Sequence, residues 1–236
     1  MVVAILNHAL TEQALALKRT FSALARTLAI DSGSTLTPDQ RAAFDLALPN
    51  VYYSGLLNAV AEQTEMLPPD DPVLVWCSDV TCDDYARTCA VIREAFAGSH
   101  IGIYAPCSTH SDQPQMLNRR SGGMRRVTFV DGFCFAVRSS ILQQLCPVDT
   151  RLNRRGWGLD VQLGYIARHH GWHVVVDDRL QVNHPRSTGY SRTDAWRERG
   201  QWQAALPPAS RLFHRLARRS FAKRPLTMRL MLALPW

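Results

Sequence analysis

Asp31, Asp79, Asp131, Asp160 and His184 are the residues of this 236-residue chain whose types and places could do chemistry. Asp31 ends the apolar run TLAID, and Asp79 ends VLVWCSD. Asp131 opens an Asp-Gly pair inside VTFVDGFCFAVR. Asp160 follows Gly156-Trp157-Gly158-Leu159, and His184 follows the last apolar run. In α/β sheets the ligand sits beyond the carboxyl ends of the strands, so a carboxylate there stands where a ligand is bound. Each residue has a plainer alternative. Asp79 could cap a helix beginning near Asp83, and Asp160 could cap VQLGYIARHH. Asp31 could close an Asx turn with Ser34, and His184 could be a surface histidine before Pro185. One strand-end acid is weak evidence; an ordered series of them carries more.

The elements that would hold these residues alternate. Val2 to Leu6 reads as a buried strand, and TEQALALKRTFSALAR has helical spacing, with Thr11 as its cap and Leu15, Leu17, Phe21 and Leu24 facing the core. TLAID is a second strand, ending in the polar turn DSGST. PNVYYSGLLNAVAEQTE passes from extended chain into helix, with Gly55 as a loose joint. PVLVWCS is a third strand, followed by a helix from about Asp83 to Phe96. HIGIYAP is another strand. STHSDQPQMLNRRSGGMRR shows no apolar period and reads as a long loop. VTFVDGFCFAVR reads as one strand-like run, SSILQQL as a short helix and NRRGWG as a turn. LDVQLGYIARHHG is helical up to Gly171 as a C′ glycine. WHVVVDD is a strand, HPRSTGYSR a loop and RTDAWRERGQWQAAL a helix. Such alternation predicts a mostly parallel sheet covered on both faces.

Composition narrows the classes. The chain is 46% hydrophobic, enough for a full core. It has no run of about 18 apolar residues, which argues against a spanning helix. MVVAILNHAL lacks the basic start and cleavage site of a signal peptide, and it is expected to be the first strand. The six cysteines form no CxxC pair, which reads as buried free thiols in a reducing cytoplasm. The net charge is +7, and no acid follows Glu198. Arg211, Arg215, Arg218, Arg219, Lys223, Arg224 and Arg229 match that excess, so the rest of the chain is near neutral. The basic character belongs to an appendage, which speaks against a nucleic-acid groove across the domain.

Several segments together resemble a known family. AIDSGS is similar to a strand-end VDNGS segment, and PNVYYSGLLNAV to an NxGxxxxxN stretch. VLVWCSDVT stands at the place of an Asp-x-Asp motif. VDGFCFAVRSSIL, RRGWGLDVQLGYIARHHGW and VNHPRSTGYSR resemble the segments around an acceptor site and a late His-x(n)-Ser loop. From about Val2 to Tyr190 the chain resembles a bacterial glycosyltransferase of family 2, with the GT-A fold. That fold is a Rossmann-like three-layer α/β/α sandwich. The resemblance implies a GT-A domain over 1–205 and a basic amphipathic extension over 206–236.

The resemblance also implies roles. A nucleotide-diphosphate sugar is the donor, and a divalent metal, Mn2+ or Mg2+, bridges its phosphates. Asp79 and His184 would hold the metal; an imidazole ligand favours manganese. Asn7, Asp31, Asn58, Ser78 and Asp79 would line the nucleotide. Asp160 would be the general base toward the acceptor hydroxyl, and attack with one base implies inversion. Asp131, Gly132, Trp157, Gly158 and Leu159 would meet the sugars. Arg186 and Arg192 would reach phosphate. Arg119, Arg120, Arg125 and Arg126 are either a solvated basic loop or a lid. His169, His170 and His173 are expected to face solvent or end the helix. The acceptor is expected to be a glycan or lipid-linked glycan, such as lipopolysaccharide or capsule. The enzyme would then lie in the cytoplasm or peripherally on the inner face of the membrane, touching anionic lipid through residues 211–232; the alternatives are that the first half of this stretch packs on the domain with its charges solvated, or that the end is disordered.

Two departures matter. The Asp-x-Asp motif reads Cys77-Ser78-Asp79, without its first acid, and the Glu-Asp pair before the acceptor helix reads Leu159-Asp160. Two rival functions follow. A sugar-phosphate nucleotidyltransferase would carry a glycine-rich basic loop after the first strand, where this chain has NHALTEQ. An inactive membrane-associated scaffold is kept open by Cys77.

Overall fold

The computed structural model describes residues 1–98, 100–185, 190–221 and 231, with the backbone alone for 218–221. The strands are β1 (Val2–Asn7), β2 (Arg26–Ser32), β3 (Leu46–Leu48), β4 (Pro72–Cys77), β5 (Thr81–Cys82), β6 (Ile101–Ser108), β7 (Met124–Val127), β8 (Cys134–Arg138) and β9 (His173–Asn183). The helices are α1 (Thr11–Ser22), α2 (Pro38–Ala43), α3 (Tyr52–Gln63), α4 (Tyr85–Phe96), α5 (Ser139–Leu145), α6 (Leu159–His169), α7 (Arg192–Ala205) and α8 (Pro208–Phe221).

The sheet runs β3-β2-β1-β4-β8-β6-β9-β5, with β7 paired to β9 off this path. β1, β2, β3 and β4 are parallel. β8 is antiparallel to both β4 and β6, so β6 and its parallel neighbour β9 run the same way as β4. The sheet is therefore mostly parallel, as expected, with β5, β7 and β8 reversed. Strands covered on both faces read as continuous apolar runs, and β1 is buried at every position.

Helices cover both faces. Phe21 of α1 packs edge-on against Trp76 of β4 and Tyr85 of α4, with ring centroids 5.1 and 5.2 Å apart. α3, α5 and α6 pack side by side on the other face. Folding therefore delivers the ends of β1, β2, β4, β6 and β9, and the start of β8, to one edge of the sandwich.

Five local expectations change. Thr11 is the first helical residue rather than the cap; Leu10 holds that position without a side-chain bond. Gly55 is no joint, because α3 runs through it and its N–H donates to Val51 O at 3.2 Å. Residues after DSGST form α2 and β3, and α2 opens with a reciprocal capping box between Thr37 and Gln40. TPDQ is that motif in the sequence. The long polar loop contains a 3-10 turn, Pro114–Met116, and β7. VTFVDGFCFAVR breaks into β7 and β8, with Asp131-Gly132 in the turn between them.

The start of the extension packs on the domain. Ser210, Phe213, His214 and Ala217 of α8 are buried. Phe213 joins Phe129, Val161, Ala217 and Met231 in a second apolar cluster. Ser210 Oγ donates to Gln162 Oε1 at 2.5 Å, and His214 Nε2 lies 3.1 Å from the same oxygen. Burial, with Arg199 adding to it, lowers the His214 pKa to about 3, so the ring stays neutral. Arg211, Leu212 and Arg215 face outward. Phe213→Ala is expected to cost about 3–5 kcal/mol in urea unfolding. Leu212→Ala, one residue away and exposed, should stay within about 0.5 kcal/mol.

Candidate active site

β4 ends between two neighbours. Cys77 N donates to Phe133 O and Ser78 N to Leu6 O, both at 2.9 Å. The chain then turns, with Val80 N on Cys77 O at 3.0 Å, and Asp79 projects at the mouth of the sheet. It does not cap α4; Asp84 does, accepting from Arg87 N at 2.8 Å. Asp79 Oδ2 instead lies 3.2 Å from His184 Nε2. The His184 ring stacks on Phe133, centroids 4.2 Å apart and planes at 8°. Phe133 is nearly buried, so the histidine is held on a fixed surface at the end of β9.

Asp131 stands close by, in the turn before β8. Its Oδ2 accepts from Ser111 Oγ at 2.8 Å, and its Oδ1 accepts from Gly132 N at 2.9 Å. Burial raises its pKa, opposed by the Ser111 bond, the His184 charge and the Gly132 N–H.

Asp160 lies in the first turn of α6, whose N-cap is Gly158 at φ 91°. That conformation suits glycine, so the capping alternative for Asp160 does not apply. Its Oδ1 accepts from Val161 N at 2.8 Å. Burial first, then the charge of Asp131, raise the Asp160 pKa to about 7, with Arg199 opposing. A half-buried carboxyl poised near neutrality, in the first turn of a helix, is suited to exchange protons.

Trp157 Nε1 donates to Tyr190 Oη at 2.9 Å, and its ring meets Trp196 edge-on at 5.1 Å. Trp157 is half-buried and Trp196 half-exposed, so this aromatic pair borders the site. Arg192, at the start of α7, pairs loosely with Asp112 at 3.7 Å and lies 5.9 Å from the Trp157 ring.

Other expected site residues are placed differently. Leu159 is fully buried; as a core side chain it cannot touch a sugar. Asn58 is spent on the loop after α5, donating to Val148 O at 2.9 Å and accepting from Val148 N at 2.7 Å. Asn7 and Asp31 do meet, with Asn7 Nδ2 on Asp31 Oδ1 at 2.6 Å. Asp31 also closes the Asx turn, accepting from Ser34 N at 2.9 Å and from Ser34 Oγ. Ser78 is nearly buried. Arg186 lies outside the described residues. Arg125 is no lid: it holds Asp178 through Nε and Nη2 and also donates to Gln115 O and Leu117 O. These bonds, with two backbone N–H groups, hold the Asp178 carboxyl well below the usual range despite burial. Arg126 lies 3.1 Å from His173 Nδ1, while Arg119 and Arg120 are exposed.

Sequence reasoning missed Ser111, Phe133 and Tyr53. Phe133 follows Asp131-Gly132 directly, so the motif itself was the signal. Ser111 lay in a loop without pattern. Tyr53 lay in a segment read only as the passage from extended chain into helix.

A cation site at Asp79 and His184 would have one oxygen and one nitrogen donor already within 3.2 Å of each other. Among the described residues no group of three or more His, Cys, Asp or Glu could hold a metal. The pair therefore fits an ion that takes its remaining ligands from a bound anion and water, rather than a closed protein site. A cavity of about 490 Å³ lies at the opposite end of the sheet, lined among others by Asp70, Asp71, His100, Arg138 and Trp172. Arg138 there is committed to Ile101 O and Asp70.

No protein family and no curated protein matches the chain by sequence. Solved structures match its fold. One is the crystal structure of GalNAc-T7 with UDP, GalNAc and Mn2+, at TM-score 0.61 and 13% identity, covering 95% of this chain and 51% of that one. Another is the mannosyltransferase PcManGT from Pyrobaculum calidifontis in complex with GDP-Man and Mn2+, at TM-score 0.56 and 16% identity, covering 98% and 73%. The chain spans about half the length of the first. The architecture is the GT-A α/β/α fold, and the likeness reaches the fold rather than family 2 within it.

Proposed function

We propose that the protein is a glycosyltransferase, moving a sugar from a nucleotide-diphosphate donor to a hydroxyl of a glycan. The observation that carries this reading is the Asp79–His184 pair standing across from Asp131 and Asp160 at one edge of the GT-A sheet. The two fold relatives were solved with UDP or GDP-Man and Mn2+, which supports the same donor chemistry here.

Asp79 and His184 would hold a divalent ion, manganese suiting the mixed oxygen and nitrogen donors. Such an ion, when bound, offsets the charge gained by the leaving diphosphate. Ser78 and the Asn7–Asp31 pair border the nucleotide end. Asp160 takes the acceptor proton. Its Oδ1 is held by Val161 N, which leaves Oδ2 for that proton. Attack then comes from the face opposite the departing diphosphate, and the anomeric configuration inverts. Trp157 and Trp196 offer flat apolar surfaces to the acceptor ring. Gly132 and Gly158 are kept as sugar-side backbone, although the space a side chain would take is filled by Tyr53 at the first and by Arg199 and His214 at the second; Arg192 stands ready for phosphate.

The acceptor we favour is a bacterial surface glycan, lipopolysaccharide or capsule, assembled at the cytoplasmic face. Among the described residues no helix is long and apolar enough to cross a membrane. The outward face of α8, with Arg211, Leu212 and Arg215, supports a peripheral lipid contact continued by the basic residues that follow. We keep 1–205 as the catalytic unit, with 206–236 as an extension docked through Phe213.

Calorimetric titration of UDP, GDP and dTDP, with manganese and then with EDTA, tests the reading. Metal-dependent binding of one nucleotide is expected and names the donor class. Folded protein that binds none of them would overturn it in favour of the scaffold or of a nucleotide-monophosphate donor. A nucleotidyltransferase would instead release pyrophosphate from a nucleoside triphosphate.

The pH dependence follows from Asp160. Its base form is lost below its pKa of about 7. The rate constant for transfer should fall tenfold per unit below that value and level off above it. A flat profile from pH 5 to 8 would exclude Asp160 as the base.

A further inference from the structure

The first turn of α3 touches both halves of the candidate site. The Tyr53 hydroxyl donates to Gly132 O, in the turn that carries Asp131. The Tyr53 ring lies against Gly156, in the turn that leads to Asp160. A Cβ on Gly156 would stand 2.5 Å from Tyr53 Cδ1, and one on Gly132 would stand 2.9 Å from the hydroxyl. Both glycines are thus required by the passage of this one ring. The next residue extends the contact. Ser54 N donates to Arg154 O at 3.3 Å, and Ser54 Oγ donates to Asn153 O. Asn153 in turn accepts from Gly156 N at 3.0 Å and donates to Trp157 O at 3.1 Å. The helix enters this position through Tyr52 at φ 54°, a costly conformation for a bulky residue. Arg154 and Arg155 cover the Tyr52 ring at 4.2 and 5.4 Å.

We propose that Tyr53 is a positioning residue that sets the separation between the Asp131 turn and the Asp160 turn, and hence between the donor side and the base. The role assigned to those turns rests on the transferase reading. A tyrosine can act as such a spacer because its ring is rigid, and its hydroxyl and edge bear on two backbones at a fixed distance. Misplacement by about 1 Å can cost about 100-fold in rate. Burial first, with the nearby carboxylates of Asp160 and Asp131, holds the Tyr53 hydroxyl in its protonated, donating form.

Tyr53→Phe tests this, because it keeps the ring and removes only the bond to Gly132 O. The groups facing the Asp160 end of the site are Asp131 from the β7–β8 turn, Arg199 from α7 and Tyr53 from α3, with His214 of α8 beside Gly158. Of these, Tyr53 bears directly on the turn of Asp131. Three measurements are made: nucleotide affinity, kcat and KM for transfer, and the Asp160 carboxyl titration by 13C NMR, assigned with Asp160→Asn.

In Tyr53→Phe the nucleotide affinity should stay within about twofold, while kcat falls about tenfold or more with KM for the donor unchanged. The Asp160 midpoint should move down, because the charge of Asp131 no longer stands at its set distance. A loss of stability alone would do neither. Wild-type kcat and an unshifted midpoint in folded Tyr53→Phe would overturn the proposal. If that variant does not fold, Gly132→Ala serves. It presses on the same hydroxyl from the other side and should produce the same shift; an unshifted midpoint there is equally fatal. The titration needs no substrate. Wild-type protein that bound no nucleotide would refute the transferase reading, and the titration would still decide the role of Tyr53.

Discussion

Asp160→Asn should lower the rate of sugar transfer by about 10²–10⁴-fold above pH 7, the usual contribution of a positioned general base. On the proposed reading Asp160 serves the acceptor rather than the nucleotide, so nucleotide binding should be retained. Stability should move the other way. The Asp160 pKa is raised in the folded protein to about 7, so the native state binds more protons than the unfolded chain between about pH 4 and pH 7. Its contribution to stability is full below the unfolded pKa and is lost as pH rises through the folded value. The asparagine variant carries no such cost and should melt higher than wild type at pH 8, with the gap closing toward pH 4. A variant that is inactive yet no more stable at pH 8 would mean that Asp160 is not held in the environment described. A variant with wild-type activity would end its role as base.

Asp79→Ala should erase the difference between manganese and EDTA in nucleotide titrations, with metal-dependent affinity falling by at least about tenfold. His184→Ala should do the same. The two residues approach within 3.2 Å, and Phe133 fixes the imidazole by stacking, so neither donor can be replaced by a shift of the other. Asp112→Ala is the control. Asp112 is exposed and pairs only loosely with Arg192, so its loss should leave manganese dependence unchanged. If Asp79→Ala kept full manganese dependence, the ion would lie elsewhere, and the strand-end carboxylate would be an ordinary polar residue bound to a histidine. Cys77 gives this test added weight. By the resemblance to family 2 it stands where an acid is expected; burial raises its pKa first, followed by the charges of Asp79 and Asp131. It is therefore a neutral thiol and cannot stand in for the missing carboxylate.

The alternation of strands and helices was legible along the chain because hydrophobic periodicity is local. β1, α1, β4, α4, α5 and α6 lie close to where apolar spacing puts them. The strand-end positions of Asp31, Asp79 and His184 were legible for the same reason. Strand direction was not. β8 reads as an apolar run like any other, and nothing in such a run says that it will lie antiparallel between β4 and β6. Asp131 was visible as a residue but misplaced in a strand, because a short turn within VTFVDGFCFAVR leaves the apolar pattern almost unbroken. The loop arginines looked alike in sequence, yet Arg125 is consumed by Asp178 and Arg119 is exposed.

By itself, the sequence determined which residue types stand at the ends of which strands, and so the kind of chemistry available at one edge of the sheet. The tertiary structure alone decided which of them meet. Asp79 faces His184, and Asp131 bears on Asp160, through contacts between segments far apart in the chain. The elevated Asp160 pKa is a product of burial and of a neighbouring charge, and neither exists until the β7–β8 turn and α6 have packed. Local spacing can place a carboxylate at a strand end, but its proton affinity depends on the dielectric and the charges that only packing brings around it.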